Sequence, residues 1–184
     1  MTTLLETVRR EFARHKKVCD GAMAQLDDRA FFAVPALAGS SATAVVNSPA
    51  LIVKHLAGNL TSRWSDFLRS DGDKPNRDRD REFLIEPQDT RDHLISAWET
   101  GWSTLFATLD SLKAADLSKT VTIRGEAHLV EEALIRGLTH AAYHAGQIAY
   151  LSRFLNPEGA WQTIPPGQSK TYRNPYLGKE ARDP

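Results

Sequence analysis

Residues Leu138 to Phe154 read Leu-Thr-His-Ala-Ala-Tyr-His-Ala-Gly-Gln-Ile-Ala-Tyr-Leu-Ser-Arg-Phe. The apolar spacing is that of a helix, and His140 and His144 stand four apart on it. Residues at i and i+4 share one helix face, so both imidazoles can aim at one point in space, as two ligands of a single ion do. Gln147 continues the same face.

Working outward, the helical pattern begins at Glu126 or Ala127, runs through Leu129, Leu134 and Leu138, and stops at Asn156-Pro157. Three further helices are predicted upstream. Leu5, Val8, Phe12, Cys19, Ala22 and Leu26 form the apolar stripe of the first, with His15 on the same side and Glu11 one turn earlier. A long connection from Asp27 to Asn47 follows, broken by Pro35, Gly39 and a Ser/Ala/Thr cluster and pinned to the core by Phe31 and Phe32. Ser48-Pro49 supplies an N-cap and a first-turn proline for the second helix, which extends to about Leu68. Its core side carries Ile52, Leu56, Leu60, Trp64 and Phe67, beside a polar stripe of His55, Asn59, Ser62 and Asp66. The third helix follows Pro87, with Leu94, Ile95, Trp98, Trp102, Leu105, Phe106 and Leu109 inward and His93 near its first turn.

Between the second and third helices, Asp71 to Glu82 is an apolar-free run. Its four basic groups are offset by interleaved carboxylates, and it reads as a solvated surface loop. Thr120 to Ile123 alternates and predicts a short extended segment before the fourth helix. From about residue 157 the chain is expected to wrap the helices as an irregular tail, with Trp161, Ile164, Tyr172 and Tyr176 as scattered anchors. The expectation is an all-α, four-helix bundle forming a single domain over residues 1–184, a length sufficient for a core without disulfides.

Lys plus Arg and Asp plus Glu both number 23, so the whole surface has no excess charge to draw it to nucleic acid or anionic lipid. No leader-like amino terminus or membrane-length apolar run is visible, and Cys19 is the only cysteine, on an apolar stripe where it reads as a small buried hydrophobe. A cytoplasmic protein that binds neither nucleic acid nor membrane is expected.

In so small a bundle the second helix packs near the fourth and can offer His55 as a third nitrogen ligand beside His140 and His144. Familiar metal motifs are excluded by the residues between. Ala141 stands where a His-Glu-x-x-His metalloprotease needs glutamate, and Gly137 stands where a di-iron Glu-x-x-His pair needs one. A structural cysteine site lacks its cysteines. A mononuclear, all-nitrogen site with open coordination positions remains, suited to Zn²⁺ or Ni²⁺ over Mg²⁺.

Val-Lys-His-Leu-Ala-Gly-Asn around His55, together with His-Ala-Ala-Tyr-His-Ala-Gly-Gln-Ile from His140, resembles the DinB-like (DinB/YfiT) superfamily of metal-dependent enzymes over most of the chain. The resemblance implies up-down-down-up topology, a metal held by His55, His140 and His144, and homodimers. Its relatives include thiol-dependent S-transferases and a thiol-dependent isomerase. A metal-activated low-molecular-weight thiol or water attacking a small-molecule substrate is the implied chemistry, with Asn59, Tyr143 and Gln147 as candidates for orienting ligands or substrate. The rival expectation is a non-catalytic metal-binding or homodimeric helical protein that associates through Trp98, Trp102 and Phe106.

Overall fold

Three of the four long helices start where a neighbouring side chain accepts one of their free amides. At the head of α1 (Leu4–Met23), Thr3 Oγ1 accepts the Glu6 amide at 3.2 Å and the Glu6 carboxylate accepts the Thr3 amide at 2.8 Å. Within the connection expected to be irregular, Asp27 caps a short helix, α2 (Asp28–Phe32), a correction to the expected four helices. Ser48 caps α3 (Pro49–Trp64), with Pro49 in its first turn as expected. Thr90 caps α4 (Arg91–Ser111). The computed structural model describes residues 3–35, 47–161 and 167. Gly39, the Ser/Ala/Thr cluster of the first connection, and the tail anchors Ile164, Tyr172 and Tyr176 lie outside them.

The structure is mostly helical, with five helices and one two-stranded antiparallel sheet among the described residues. The sheet corrects the expected start of the last helix. Strand β1 (Thr120–Ile123) forms as the alternation predicts, with Val121 and Ile123 buried. Glu126–Leu129, expected to be helical, is strand β2, and α5 runs from Val130 to Leu155. Glu, Ala and Leu are good helix formers, but Arg124 (φ 55°) and Gly125 (φ 76°) make a two-residue hairpin turn. The turn sets Ile123 opposite Glu126 and Thr120 opposite Leu129. The long-range pairing overrides local propensity.

One core joins all four long helices. Phe12 of α1 meets Trp64 of α3 and Trp102 of α4 edge to face, at centroid separations of 6.0 and 6.3 Å. Phe31, Leu56, Leu60, Trp98, Leu105, Leu134 and Ile148 are also buried, each side chain contributing about 1.5–3 kcal/mol by leaving water. Trp98 and Trp102 are therefore core residues, which removes them from any association surface. Phe106 stacks on Trp102 and lies under Arg9. Cys19 is fully buried, and burial pushes its thiol up to about 12, which leaves it a packing residue.

Polar contacts fix how the helices sit. Arg9 pairs with Asp110 at 2.7 Å, Lys16 with Glu99 at 2.8 Å, and Trp98 Nε1 donates to Asp20, joining α1 to α4. Thr108 Oγ1 donates to the Trp64 carbonyl, and Gly101 lies against Ala57, joining α4 to α3. At the α3–α5 crossing, a Cβ on Gly137 would stand 2.6 Å from Trp64 Cζ2. No described helix is long and apolar enough to cross a membrane.

Trp64 is locked in the core and cannot yield to that atom, so Gly137→Ala is expected to destabilise the protein by about 1–3 kcal/mol, read as a lower urea midpoint at unchanged slope.

Candidate metal centre

His55 projects from the middle of α3, and His140 and His144 from successive turns of α5. One nitrogen from each ring comes within 4.8 Å of the other two. The His140 and His144 Nε2 atoms are 3.1 Å apart. Two nitrogens bound tetrahedrally to one ion stand about 3.4 Å apart at ordinary bond lengths, so this pair already has near-ligating separation. The His55 ring packs edge-on to both, at centroid distances of 5.5 Å to His140 and 5.0 Å to His144. His15, His93 and His128 do not join the cluster.

Second partners decide which nitrogen is free in two of the three rings. Gln147 Oε1 accepts the His144 Nδ1 proton at 2.8 Å, directing the Nε2 lone pair toward His140. Glu82 Oε2 accepts from His55 Nδ1 at 2.8 Å, leaving Nε2 of that ring as the ligand atom. Arg77 grips the same carboxylate from behind, with Nε 2.7 Å from Oε1 and Nη2 2.8 Å from Oε2. Phe83 stacks on His55 at 4.8 Å. Gly58, one turn along α3, makes room for this arrangement, since a Cβ there would overlap Glu82 Oε1.

The electrostatics favour metal-ready imidazoles. Burial, then the neighbouring His144, His55, Arg63 and Arg77, pushes His140 down to about 3. Burial also lowers His144, partly opposed by its hydrogen bond to Gln147. Both rings are neutral at pH 7, the form that donates a lone pair. Burial alone would push the Glu82 carboxyl up, but hydrogen bonds from Arg77 and His55 more than offset it and hold it below the usual carboxylate range.

The three histidines thus meet as the sequence suggests. Gln147 acts on His144 directly. Asn59 is buried and lines a cavity of about 480 Å³ that also contains His55 and His140. Tyr143 lines the same cavity, with its ring edge-on to His144, and is 64% exposed. The stretch expected to be a solvated loop supplies the missing parts. Its end folds back so that Glu82 and Arg77 are buried under α3. The available signal was Phe83, the apolar residue directly after the charged run, which stacks on His55.

A mostly helical protein with a largely buried three-histidine cluster, compatible with a metal site, is the class these features define. Over residues 1–168 the chain matches the family described as "Protein of unknown function (DUF1572)", and it belongs to that family. No curated protein matches it.

Two outcomes follow from the geometry. Glu82→Gln is expected to weaken metal affinity about 10- to 100-fold without unfolding the chain, measured by competition with a chromophoric chelator. The second concerns acid. His140 binds fewer protons folded than unfolded, so its contribution to stability is present above about 6.5 and is lost as pH falls toward about 3. Denaturant titrations of metal-free protein across that window should show stability falling with acid, and His140→Ala should flatten the slope.

Proposed function

We propose that this protein is a metal-dependent enzyme acting on a small molecule, with His55, His140 and His144 holding one divalent transition ion. The observation that carries the reading is the convergence of three ring nitrogens, two with their other nitrogen fixed by Glu82 and Gln147, at the edge of a cavity large enough for a small substrate. An all-nitrogen donor set suits Zn²⁺ or Ni²⁺, and three protein ligands leave coordination positions for exchangeable groups. When bound, the ion would lower the pKa of water or of a low-molecular-weight thiol, which places the reaction among hydrolyses or thiol-dependent S-transfers. Glu82 and Gln147 keep the ligand rings in the required tautomer. Asn59 and Tyr143 border the cavity, where their amide and phenol can orient a substrate.

Relationship to the DinB-like superfamily and its four-helix, up-down-down-up bundle belongs to the same proposal. Side-chain pairings support it. Arg9 with Asp110 and Lys16 with Glu99 fit opposed α1 and α4. Ala57 against Gly101, and Trp64 with Thr108, fit α3 and α4 running the same way. His55 near His144, and Trp64 over Gly137, fit opposed α3 and α5.

Protein purified without an affinity tag is expected to carry close to one equivalent of Zn or Ni by elemental analysis, and to melt at a lower temperature after chelation. His140→Ala should lose the ion and any activity together. Full metal content in that variant would overturn the ligand assignment.

A further inference from the structure

The cavity beside the histidines has an unusual lining: five arginines, Arg63, Arg77, Arg79, Arg124 and Arg136, and no carboxylate. Neutralisation within the chain reaches only some of them. Glu82 is committed to Arg77 and His55. Asp73 pairs with Arg124 at 3.1 Å and with Arg77 at 3.4 Å. Among the described residues, Arg63, Arg79 and Arg136 have no ion pair.

Arg63 is the most telling of the three. It comes from α3, two turns beyond His55, and its Nε is buried with no hydrogen-bond partner. Burial first, then Arg136, Arg77 and Arg124, pushes its guanidinium down to about 10 against a weaker opposing pull from Asp73, so it is still charged at pH 7. A buried donor without an acceptor costs stability, and other cations gathered around a half-buried guanidinium add to that cost. Arg124 adds a second cost, because it occupies a left-handed turn position (φ 55°) that Asn, Asp or Gly fills more easily. Backbone bonds from Arg124 and Gly125 to Asp71, both 2.8 Å, hold that turn in place beside the cavity. Like charges gathered at such expense around a concave space are compensated by an anion within it.

We propose that this cavity is an anion-recognition site centred on Arg63 and Arg136, and that the substrate of the histidine centre is a small molecule carrying a carboxylate or phosphate group. The substrate clause rests on the metal-centre reading; the anion site does not. The guanidiniums hold the anionic end, and the rest of the molecule extends along the cavity toward His55 and His140, which share its wall. The overall charge balance of the chain concealed this local excess.

The test is calorimetric titration of full-length protein, stripped of metal and dialysed free of chelator, with inorganic phosphate and separately with malonate. Saturable binding that weakens as salt is raised is expected for at least one probe, and the tighter of the two identifies the anionic group. Arg136→Gln, at an exposed position that leaves the core intact, should weaken binding about tenfold or more. Arg63→Gln should do the same, with circular dichroism and a thermal melt confirming its fold, while Arg10→Gln on α1 changes nothing. Absence of saturable binding of either probe, or wild-type affinity in Arg136→Gln, overturns the proposal. Metal content is measured on a separate sample as purified. Binding of either anion by a protein that never holds metal would defeat the metal reading alone, and metal without binding of phosphate or malonate would defeat the anion site alone.

Discussion

A ring nitrogen taken out of water needs a hydrogen-bond partner, and imidazoles packed against one another must find theirs in the side chains around them. That requirement organises this structure. Gln147 takes the donor of His144 and Glu82 takes the donor of His55, so the acceptor lone pairs of both are turned inward. Glu82 is itself a buried charge, which only a bidentate partner such as Arg77 makes tolerable. Arg77 in turn requires its loop to fold under α3, and Gly58 is the gap that lets the carboxylate in. Each group is explained by the one before it, beginning with the histidines.

The β1–β2 hairpin belongs to the same chain of constraints. Asp71, at the start of the charged loop, accepts both amides of the Arg124-Gly125 turn, and Gly72 donates to the Thr122 carbonyl. Backbone bonds from Gly125 and Asp73 are the leading causes that lower the Asp71 carboxyl below its ordinary range. Loop and hairpin therefore hold each other beside the histidines. One consequence is the basic cavity: Arg77 and Arg79 arrive on the loop, Arg124 on the turn, Arg63 on α3 and Arg136 on α5. Four separate segments contribute the charge, which makes it invisible to any count along the chain.

Much of the helical framework was legible from local chemistry. The Ser48-Pro49 start, the Asn156-Pro157 stop and the three- and four-residue spacing of Val8, Phe12, Cys19, Leu56, Leu60, Trp98 and Trp102 are short-range signals that the structure reproduces. The i, i+4 spacing of His140 and His144 likewise determined that two ligands share a face, because helical geometry leaves them no alternative. His55 was legible as a candidate through the packing of its helix. The helix start at Glu126 was misread because Glu, Ala and Leu favour a helix locally, while strand pairing depends on residues across the turn.

What only the tertiary structure decided was which charges leave water. Arg77 and Glu82 look like members of an ordinary solvated run, and apart from Phe83 next to Glu82 nothing nearby in sequence distinguishes them from Arg79 or Asp80. Glu82 meets His55 across 27 positions, and Arg63 meets Arg136 across more than twice that separation. Desolvation is a property of the surroundings a side chain finishes in, so it is set by the packing of distant segments. The sequence by itself determined most of the long-helix framework and the two-histidine face; the fold determined the carboxylate on His55, the guanidinium behind it, and the positive cavity alongside, because each exists only where separate segments meet.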